Sequence, residues 1–399
     1  MSLGRREFLI GSAGAAVFGA HAVRAASEDP GRQVPNRRAA YEPWRSWRAD
    51  GIPSPLTVVH AAVLAANAHD TQPWRFQFGS DRIDVYADPE RHLGAMDPFR
   101  REMHLSLGCA LENAVLIARS LGYAADLRIS SGLLQEGGVS DDSHHAASIS
   151  LARQPVDASP LVAAIPHRHT NRSPYREDDI PIDMLRQLSF LASDAAVRLI
   201  WLTDPAARRD FAAATVAATE TITTDSVMIA DSDRWFRATD AEIELHRDGP
   251  TLYCAGLSPV VLLGARLIPV STQSAHRHWI DQTRDAQLGT RPVIGLIAVK
   301  DLYDRECALR AGRLWQRLHL QGTLLGLGTQ PLNQLPECVD RERQLGRPAS
   351  FRNALAGFSG DAEWQPTFAF RVGWPTRPGP ASPRRSLQSV VMPPNRADS

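Results

Sequence analysis

Asn67-Ala68-His69-Asp70-Thr71-Gln72-Pro73-Trp74 and Arg168-His169-Thr170-Asn171-Arg172 are the two stretches on which the fold turns. The first follows an Ala/Val/Leu-rich run, Leu56 to Ala66, with the composition of a helix, and Pro73 ends whatever precedes it. Beyond it, Arg75-Phe76-Gln77-Phe78 and Arg82-Ile83-Asp84-Val85-Tyr86 alternate polar and apolar residues, which predicts strands. Gly79-Ser80-Asp81 between them makes a hairpin. Asn67 and Gln72 therefore stand at a helix-to-strand turn, with amides that can both donate and accept. In the second stretch, Arg168, Thr170 and Arg172 share one side of an extended segment, because alternate residues of an extended chain face one way. Arginine pairs bidentately with phosphate and stays charged at any relevant pH, so this is chemistry suited to a cofactor phosphate.

Outward from these motifs, Met103 to Leu121 reads as a helix closed by Gly122. Ala125 to Ile129 and Ala147 to Leu151 read as strands, with a Gly/Ser/Asp/His loop from Gln135 to His145. A second unit begins near Pro155. It is predicted to contain a helix at Pro181–Leu191, a strand at Val197–Leu202 and a helix at Ala206–Thr221. Residues 222 to 290 lack clean periodicity and read as an insertion over the site. A strand follows at Val293–Val299, then a long amphipathic helix at Glu306–Leu325 with Leu309, Leu314, Leu318 and Leu325 at helical spacing. Gly326-Leu327-Gly328-Thr329-Gln330-Pro331-Leu332-Asn333-Gln334 closes that helix, and glycine there permits close approach of backbone to a ligand. A late strand, Thr367–Arg371, leads through Gly373-Trp374-Pro375 to Pro383-Arg384-Arg385, which delivers two more cations. The order of elements is α+β rather than a regular βαβ alternation. The two parts share a plan, but no direct repeat is visible.

Composition narrows the function classes. The chain has 399 residues, 43% hydrophobic and 22% charged, enough for a sizeable core. Lys+Arg and Asp+Glu both number 44, so there is no basic excess of the kind that marks a nucleic-acid binder. No stretch after the N-terminus is long and apolar enough to span a bilayer, so no stable membrane anchor is expected. The four cysteines are scattered and form no C-x-x-C, which reads as free, mostly buried thiols. Arg5-Arg6-Glu7-Phe8-Leu9, the small apolar run Ile10 to Val23 and Ala25-Ala26 read as a twin-arginine signal peptide over residues 1–26. Gly4 and Ile10 depart from that motif's usual residues. Residues 27–54 read as a linker or leading arm.

Taken together, these strings resemble the nitroreductase superfamily of FMN flavoproteins, and within it the single-chain, Acg-like FMN-binding branch that carries a twin-arginine signal. The resemblance runs from about Pro55 to Val391 and is weakest over 222–290; supporting strings are Tyr86-Ala87-Asp88-Pro89-Glu90-Arg91, Asp97-Pro98, Arg101-Glu102 and Gly108-Cys109-Ala110-Leu111. It implies a nitroreductase-like α+β fold in which two fused halves, 55–154 and 155–399, form an intramolecular pseudo-dimer with one flavin. It further implies that Arg168 and Thr170 grip the FMN phosphate and ribityl chain, and that Arg172 reaches the N1/O2 edge of the ring. Pro331, Leu332 and Asn333 are implied to pass beneath the ring with a backbone N–H aimed at N5, and Arg384 and Arg385 to complete the phosphate site. Ala66, Asn67, Ala68, Asp70 and Gln72 of the first half are implied to stand where a second subunit stands elsewhere. Asp70 occupies a position that is usually Asn in the family; an anion beside the flavin disfavours its reduced anionic form, so a lower flavin potential is expected.

The function implied is an FMN-dependent oxidoreductase, passing a hydride through flavin N5 between a small-molecule donor and a nitroaromatic- or quinone-like acceptor. No dedicated catalytic acid or base is expected. The alternative is an FMN-binding or FMN-sequestering protein with a lid at 222–290 and little turnover. A metalloenzyme has little support: His144-His145 and His167-x-His169 lack the carboxylates or H-E-x-x-H spacing of a metal site, and none is expected. Export by the twin-arginine machinery implies a periplasmic location, and a fused dimer is expected to be monomeric.

Overall fold

A computed structural model describes residues 38–48, 54–139, 144–267 and 272–393. Residues 1–26, expected to be a signal peptide, and residues 27–37 and 49–53 of the arm lie outside the described residues. In the first half, helix α1 (Pro55–Ala62) leads into strands β1 (Trp74–Phe78) and β2 (Arg82–Ala87), which form an antiparallel hairpin with Trp74 opposite Ala87 and Phe78 opposite Ile83. Helix α2 (Arg101–Ser120) follows, its first free N–H groups accepted by the Asp97 carboxylate at 3.0 Å (from Glu102) and 2.9 Å (from Met103). Then come β3 (Leu127–Ile129), the two-residue strands β4 (Leu134–Gln135) and β5 (Gly138–Val139), and β6 (His145–Ser150). The main sheet has the order β1-β2-β6-β3, antiparallel throughout.

The second half contains α3 (Ile182–Ser189), β7 (Val197–Leu202), α4 (Pro205–Thr224), α5 (Ser226–Asp233), α6 (Asp240–His246), β8 (Val293–Val299), α7 (Arg305–Leu324), β9 (Gly328–Pro331), α8 (Gln334–Gln344), α9 (Ser350–Gly357) and β10 (Gln365–Gly373). Its sheet has the order β7-β8-β10-β9, again antiparallel. Both halves thus run strand, strand, long helix, strand, strand, with the last strand inserted between the second and third. The fold is α+β with two halves of one plan. They differ where the first half makes the tight turn Gly79–Asp81 and the second inserts the helical segment between β7 and β8.

The two long helices carry a repeat that is invisible until the halves are superposed in topology. Aligned at their first residues, Arg101/Arg305, Glu102/Glu306, Leu105/Leu309, Gly108/Gly312, Leu116/Leu320, Leu121/Leu325 and Gly122/Gly326 are identical. The helices cross at the glycines. A Cβ on Gly108 would lie 2.1 Å from the Leu309 carbonyl oxygen, and one on Gly312 would lie 2.0 Å from that of Leu105. Only glycine allows this approach, and the crossing is reciprocal, as an isologous interface is. Polar groups lock it: the Gln316 amide donates to Asn113 Oδ1 at 2.8 Å, and Asn113 donates to the Ala61 carbonyl at 2.8 Å.

Several expectations need correction. The arm contains a 3-10 turn (Ala39–Tyr41) and a short helix (Glu42–Ser46) whose Ala40, Tyr41 and Trp44 are buried in the core. Residues 222–290 are largely short helices, and the Gly326–Gln334 string includes strand β9 rather than only a cap and loop. Helices α8 and α9 are further elements.

Candidate functional site

The terminal carbonyls of the stretch following α1 set the site's geometry. Leu64 and Ala65 lie past the end of α1 and its C-cap Val63, so their carbonyls have no intrahelical partner and can accept from side chains. Leu64 O accepts from Arg168 Nη2 at 3.1 Å, and Ala65 O accepts from Arg384 Nη2 at 3.1 Å. One arginine comes from the second half's extended loop and the other from its C-terminal tail. That tail crosses to the first half: Val391 pairs with Phe76, and the Met392 N–H donates to the Phe76 carbonyl at 2.7 Å.

The turn that follows is wound tightly. His69, Asp70 and Gln72 all have positive φ, at 47°, 51° and 51°. Non-glycine residues adopt this conformation at a cost, and a run of them is held by its surroundings. Asn67 holds it here: Asn67 Oδ1 accepts from the Gln72 N–H at 2.8 Å, and Asn67 Nδ2 donates to Asp70 Oδ1 at 3.3 Å. The Ala66 N–H donates to Gln316 Oε1 at 3.1 Å, so the helix crossing also positions the turn.

A cleft opens between these parts, lined by Ala66, Asn67 and Asp70 of the first half and by Arg168, Thr170, Arg172 and Arg384 of the second. Its roof comes from the insertion, at Gly249, Pro250 and Cys254. The Gly249 N–H donates to the Asp70 carbonyl at 3.1 Å, and the Arg172 guanidinium donates to the Cys254 carbonyl at 3.2 Å. Gly249 has φ 78°, and a Cβ there would meet the Trp235 carbonyl oxygen at 1.9 Å, so the roof turn depends on glycine. The roof is pinned by Asp248, which pairs with Arg91 of the first half and accepts from Arg237 at 2.9 Å. Gln72 ties roof and tail together, donating to the Arg247 carbonyl at 2.9 Å and accepting from the Arg385 N–H at 2.8 Å.

The electrostatics are lopsided. Three guanidinium groups, those of Arg168, Arg172 and Arg384, face one carboxylate, Asp70. Arg384 pairs with Asp70 at 2.6 Å, whereas Arg168 is held by neutral groups, the Leu64 carbonyl and His319 Nδ1 at 3.2 Å. Burial, and then the neighbouring Arg384, push the Arg168 value down to about 9, and burial lowers Arg172 and Arg384. The histidines do not add charge at neutral pH: burial, followed by adjacent arginine, lowers His69 to about 4 and His169 to about 3. Arg168 Nε, Arg384 Nε, His169 Nδ1 and Asp70 Oδ2 are buried without hydrogen-bond partners. Unpaired buried cations are costly unless an anion joins them. A phosphate monoester carries about −1.5 to −2 charges at neutral pH, which matches the two uncompensated cations of this cleft. The residues present therefore fit the phosphate of FMN.

Not every residue named from the sequence lines this cleft. Ala68 donates its N–H to Ser106 Oγ at 3.0 Å, and Gln72 is a fully buried brace. Arg385 turns away, its guanidinium donating to the Gln72 carbonyl at 3.2 Å and to the Ser389 carbonyl at 2.7 Å. Pro331, Leu332 and Asn333 lie outside the cleft wall. Pro331 has no N–H, the Leu332 N–H donates to the Ala369 carbonyl at 2.8 Å, and the Asn333 side chain is held between Glu102 (2.8 Å) and the Ala369 N–H (3.0 Å). Residues missed by sequence reasoning include Trp44, His169, His319 and Ser382. The Gly249-Pro250 pair was the legible signal of a roof turn; nothing local marks Trp44.

Fold and site together define an α+β protein of two like-planned halves with a cation-lined cleft at their junction. No family model matches the chain. It is 27% identical over 342 residues to the protein named "Putative NAD(P)H nitroreductase Rv3131" of Mycobacterium tuberculosis, spanning 84% of this chain and 90% of that one. It is 26% identical over 347 residues to "Putative NAD(P)H nitroreductase acg" of the same species, spanning 84% and 94%. Among solved structures, it is similar to the FMN-dependent nitroreductase NfnB of Mycobacterium smegmatis in complex with NADPH, with 16% identity and a TM-score of 0.36 over 58% of this chain and 96% of that one. It is also similar to an FMN-bound nitroreductase of Desulfitobacterium hafniense, with 10% identity and a TM-score of 0.36 over 60% and 100%. No helix among the described residues is long and apolar enough to cross a membrane.

Proposed function

We propose that this chain is an FMN-dependent oxidoreductase of the nitroreductase type, a single-chain pseudo-dimer with one flavin at the junction of its halves. The observation that carries the reading is the charge imbalance of the cleft, three guanidinium groups, those of Arg168 and Arg384 buried, facing one carboxylate. Arg168 and Arg384 would hold the phosphate with the Thr170 hydroxyl beside them. Arg172 would face the N1/O2 edge of the ring, and Ala66 and Asn67 would form the opposing wall. When bound, FMN supplies two-electron hydride chemistry through N5, from a donor to an electrophilic acceptor such as a nitroaromatic or a quinone. The chain's own residues position the ring, neutralise its charge and keep water out. The names of the mycobacterial relatives support an NAD(P)H-type donor. The test is the visible absorption spectrum of the purified mature protein, alone and after incubation with FMN, followed by addition of NADPH. A stoichiometric flavin spectrum that NADPH bleaches supports the reading; a protein that stays free of flavin overturns it.

A second reading, an FMN-holding protein with little turnover, is favoured by the roof. Gly249, Pro250 and Cys254 narrow the cleft, the Asp248–Arg91 pair pins this segment, and the free volume is only about 60 Å³. Small-ligand pockets usually measure about 300 Å³ or more, so a flavin enters only if the roof or the tail shifts. Slow bleaching by NADPH together with slow FMN release would select this reading. Export to the periplasm by the twin-arginine route is also part of the proposal, supported by Arg5-Arg6 and the run that follows. Cell fractionation of wild type and of a variant with Lys at positions 5 and 6 tests it. A monomer by light scattering is the expected oligomeric state.

A further inference from the structure

We propose that Trp44 is a positioning residue of the anion site, its indole holding the guanidinium groups of Arg168 and Arg384 in place beside the cleft. The inference rests on the reading that these two arginines hold a phosphate. Trp44 belongs to the arm that precedes the first half, outside the stretch that carries the family resemblance. Its ring centroid lies 4.7 Å from Cζ of Arg384 and 5.9 Å from Cζ of Arg168. The His169 ring meets it edge-on at 4.6 Å. The arm is fastened to the tail at two points. Trp44 Nε1 donates to the Ser382 carbonyl at 2.8 Å, and the Arg384 N–H donates to the Ala40 carbonyl at 2.7 Å.

The chemistry explains why an indole stands here. Two buried guanidinium groups repel each other and need a partner before any ligand arrives. Asp70 already pairs with Arg384 at 2.6 Å, and a second carboxylate would cancel the remaining charge and repel an incoming phosphate. The face of an indole attracts both cations through its quadrupole and carries no formal charge, so the site keeps its positive potential. His319 supports Arg168 in the same way, through a neutral ring nitrogen.

The experiment compares FMN with riboflavin, which has the same ring and no phosphate, on the mature protein and its Trp44→Leu and Trp44→Phe variants. Thermal stabilisation by inorganic phosphate is measured alongside. Trp44→Leu is expected to weaken FMN binding about tenfold, to leave riboflavin within about twofold, and to reduce the phosphate-induced shift. Trp44→Phe, which keeps a weaker aromatic face, is expected to fall between. A general loss of structure moves both flavins together, so equal weakening of FMN and riboflavin overturns the proposal, as does no weakening of FMN. Where the Leu variant does not fold, the Phe variant decides by the same ratio. If wild type binds neither flavin but phosphate stabilises it, the flavin reading fails; the role of Trp44 then stands if the variants reduce the phosphate shift and falls if they do not.

Discussion

Asp70 shows what a single buried carboxylate does to this site. Burial raises it to about 6, against the pull of Arg384 and the Asn67 hydrogen bond, whereas an unfolded aspartate titrates near 3.9. The native protein therefore takes up a proton between about pH 4 and 6, so stability falls as pH rises through that range and the full cost is present above it. Asp70→Asn abolishes this titration. Relative to wild type, the variant should gain stability between pH 5 and 7.5, by on the order of 1–3 kcal/mol; a pH-independent difference in melting temperature would contradict this. Asp70 also competes with phosphate for Arg384, so the Asn variant should bind FMN more tightly at pH 7.5. The structure bears on the expected lowering of flavin potential too, because Arg384 at 2.6 Å offsets much of the carboxylate's field. Glu337 follows the same sign at a higher pH. Burial pushes it up to about 8 against the pull of Arg101, with Asp97 and Asp340 adding to the push. Glu337→Gln should melt above wild type at pH 8.5 and converge with it near pH 5, which a pair of thermal melts would check.

At the scale of elements, the crossing of α2 and α7 is the joint of the molecule. Its glycines admit no side chain, since the atoms in the way are backbone carbonyl oxygens at 2.1 and 2.0 Å. Gly312→Ala must push the helices apart and strain the Gln316–Asn113 bond that positions Ala66. A loss of about 2–4 kcal/mol in chemical denaturation is expected. Gly264, in the helix Pro259–Leu267, is the contrast, because a Cβ there meets nothing within 4 Å. Gly264→Ala should stabilise by up to about 1 kcal/mol through helix propensity alone. If both substitutions had the same sign, the packing account of the crossing would be wrong. Sequence reasoning found α2 and α7 because long apolar periodicity survives without context. It missed α5 and α6, which are short and mostly exposed. The Thr239–Glu242 capping box was a readable start signal for α6.

For the whole molecule, the tail makes the halves interdependent. Ser382 to Pro393 brings Arg384 to the cleft, accepts from Trp44, braces Gln72 and extends the edge of the first sheet at Phe76. A chain ending at Ala381 should lose stabilisation by phosphate or FMN and melt lower. Calorimetry with and without phosphate would test this, and retention of the full phosphate shift would show that the tail is not part of the site. The intact protein is expected to unfold in one transition, because the helix crossing and the tail both join the halves.

The sequence by itself determined the first β-hairpin and the long core helices, and the family resemblance its strings carry named Asn67, Asp70, Arg168, Thr170, Arg172 and Arg384, which line the cleft. The elements are set by local periodicity, and arginine and amide side chains keep their phosphate and hydrogen-bonding chemistry wherever they stand. Only the tertiary structure decided which cations converge and which turn away. Arg384 and Arg385 are adjacent and chemically identical, yet one enters the cleft and the other faces Gln72 and Ser389. The glycine crossing and the place of Trp44 were likewise hidden. Each depends on contacts between residues hundreds of positions apart, and such contacts leave no local pattern to read.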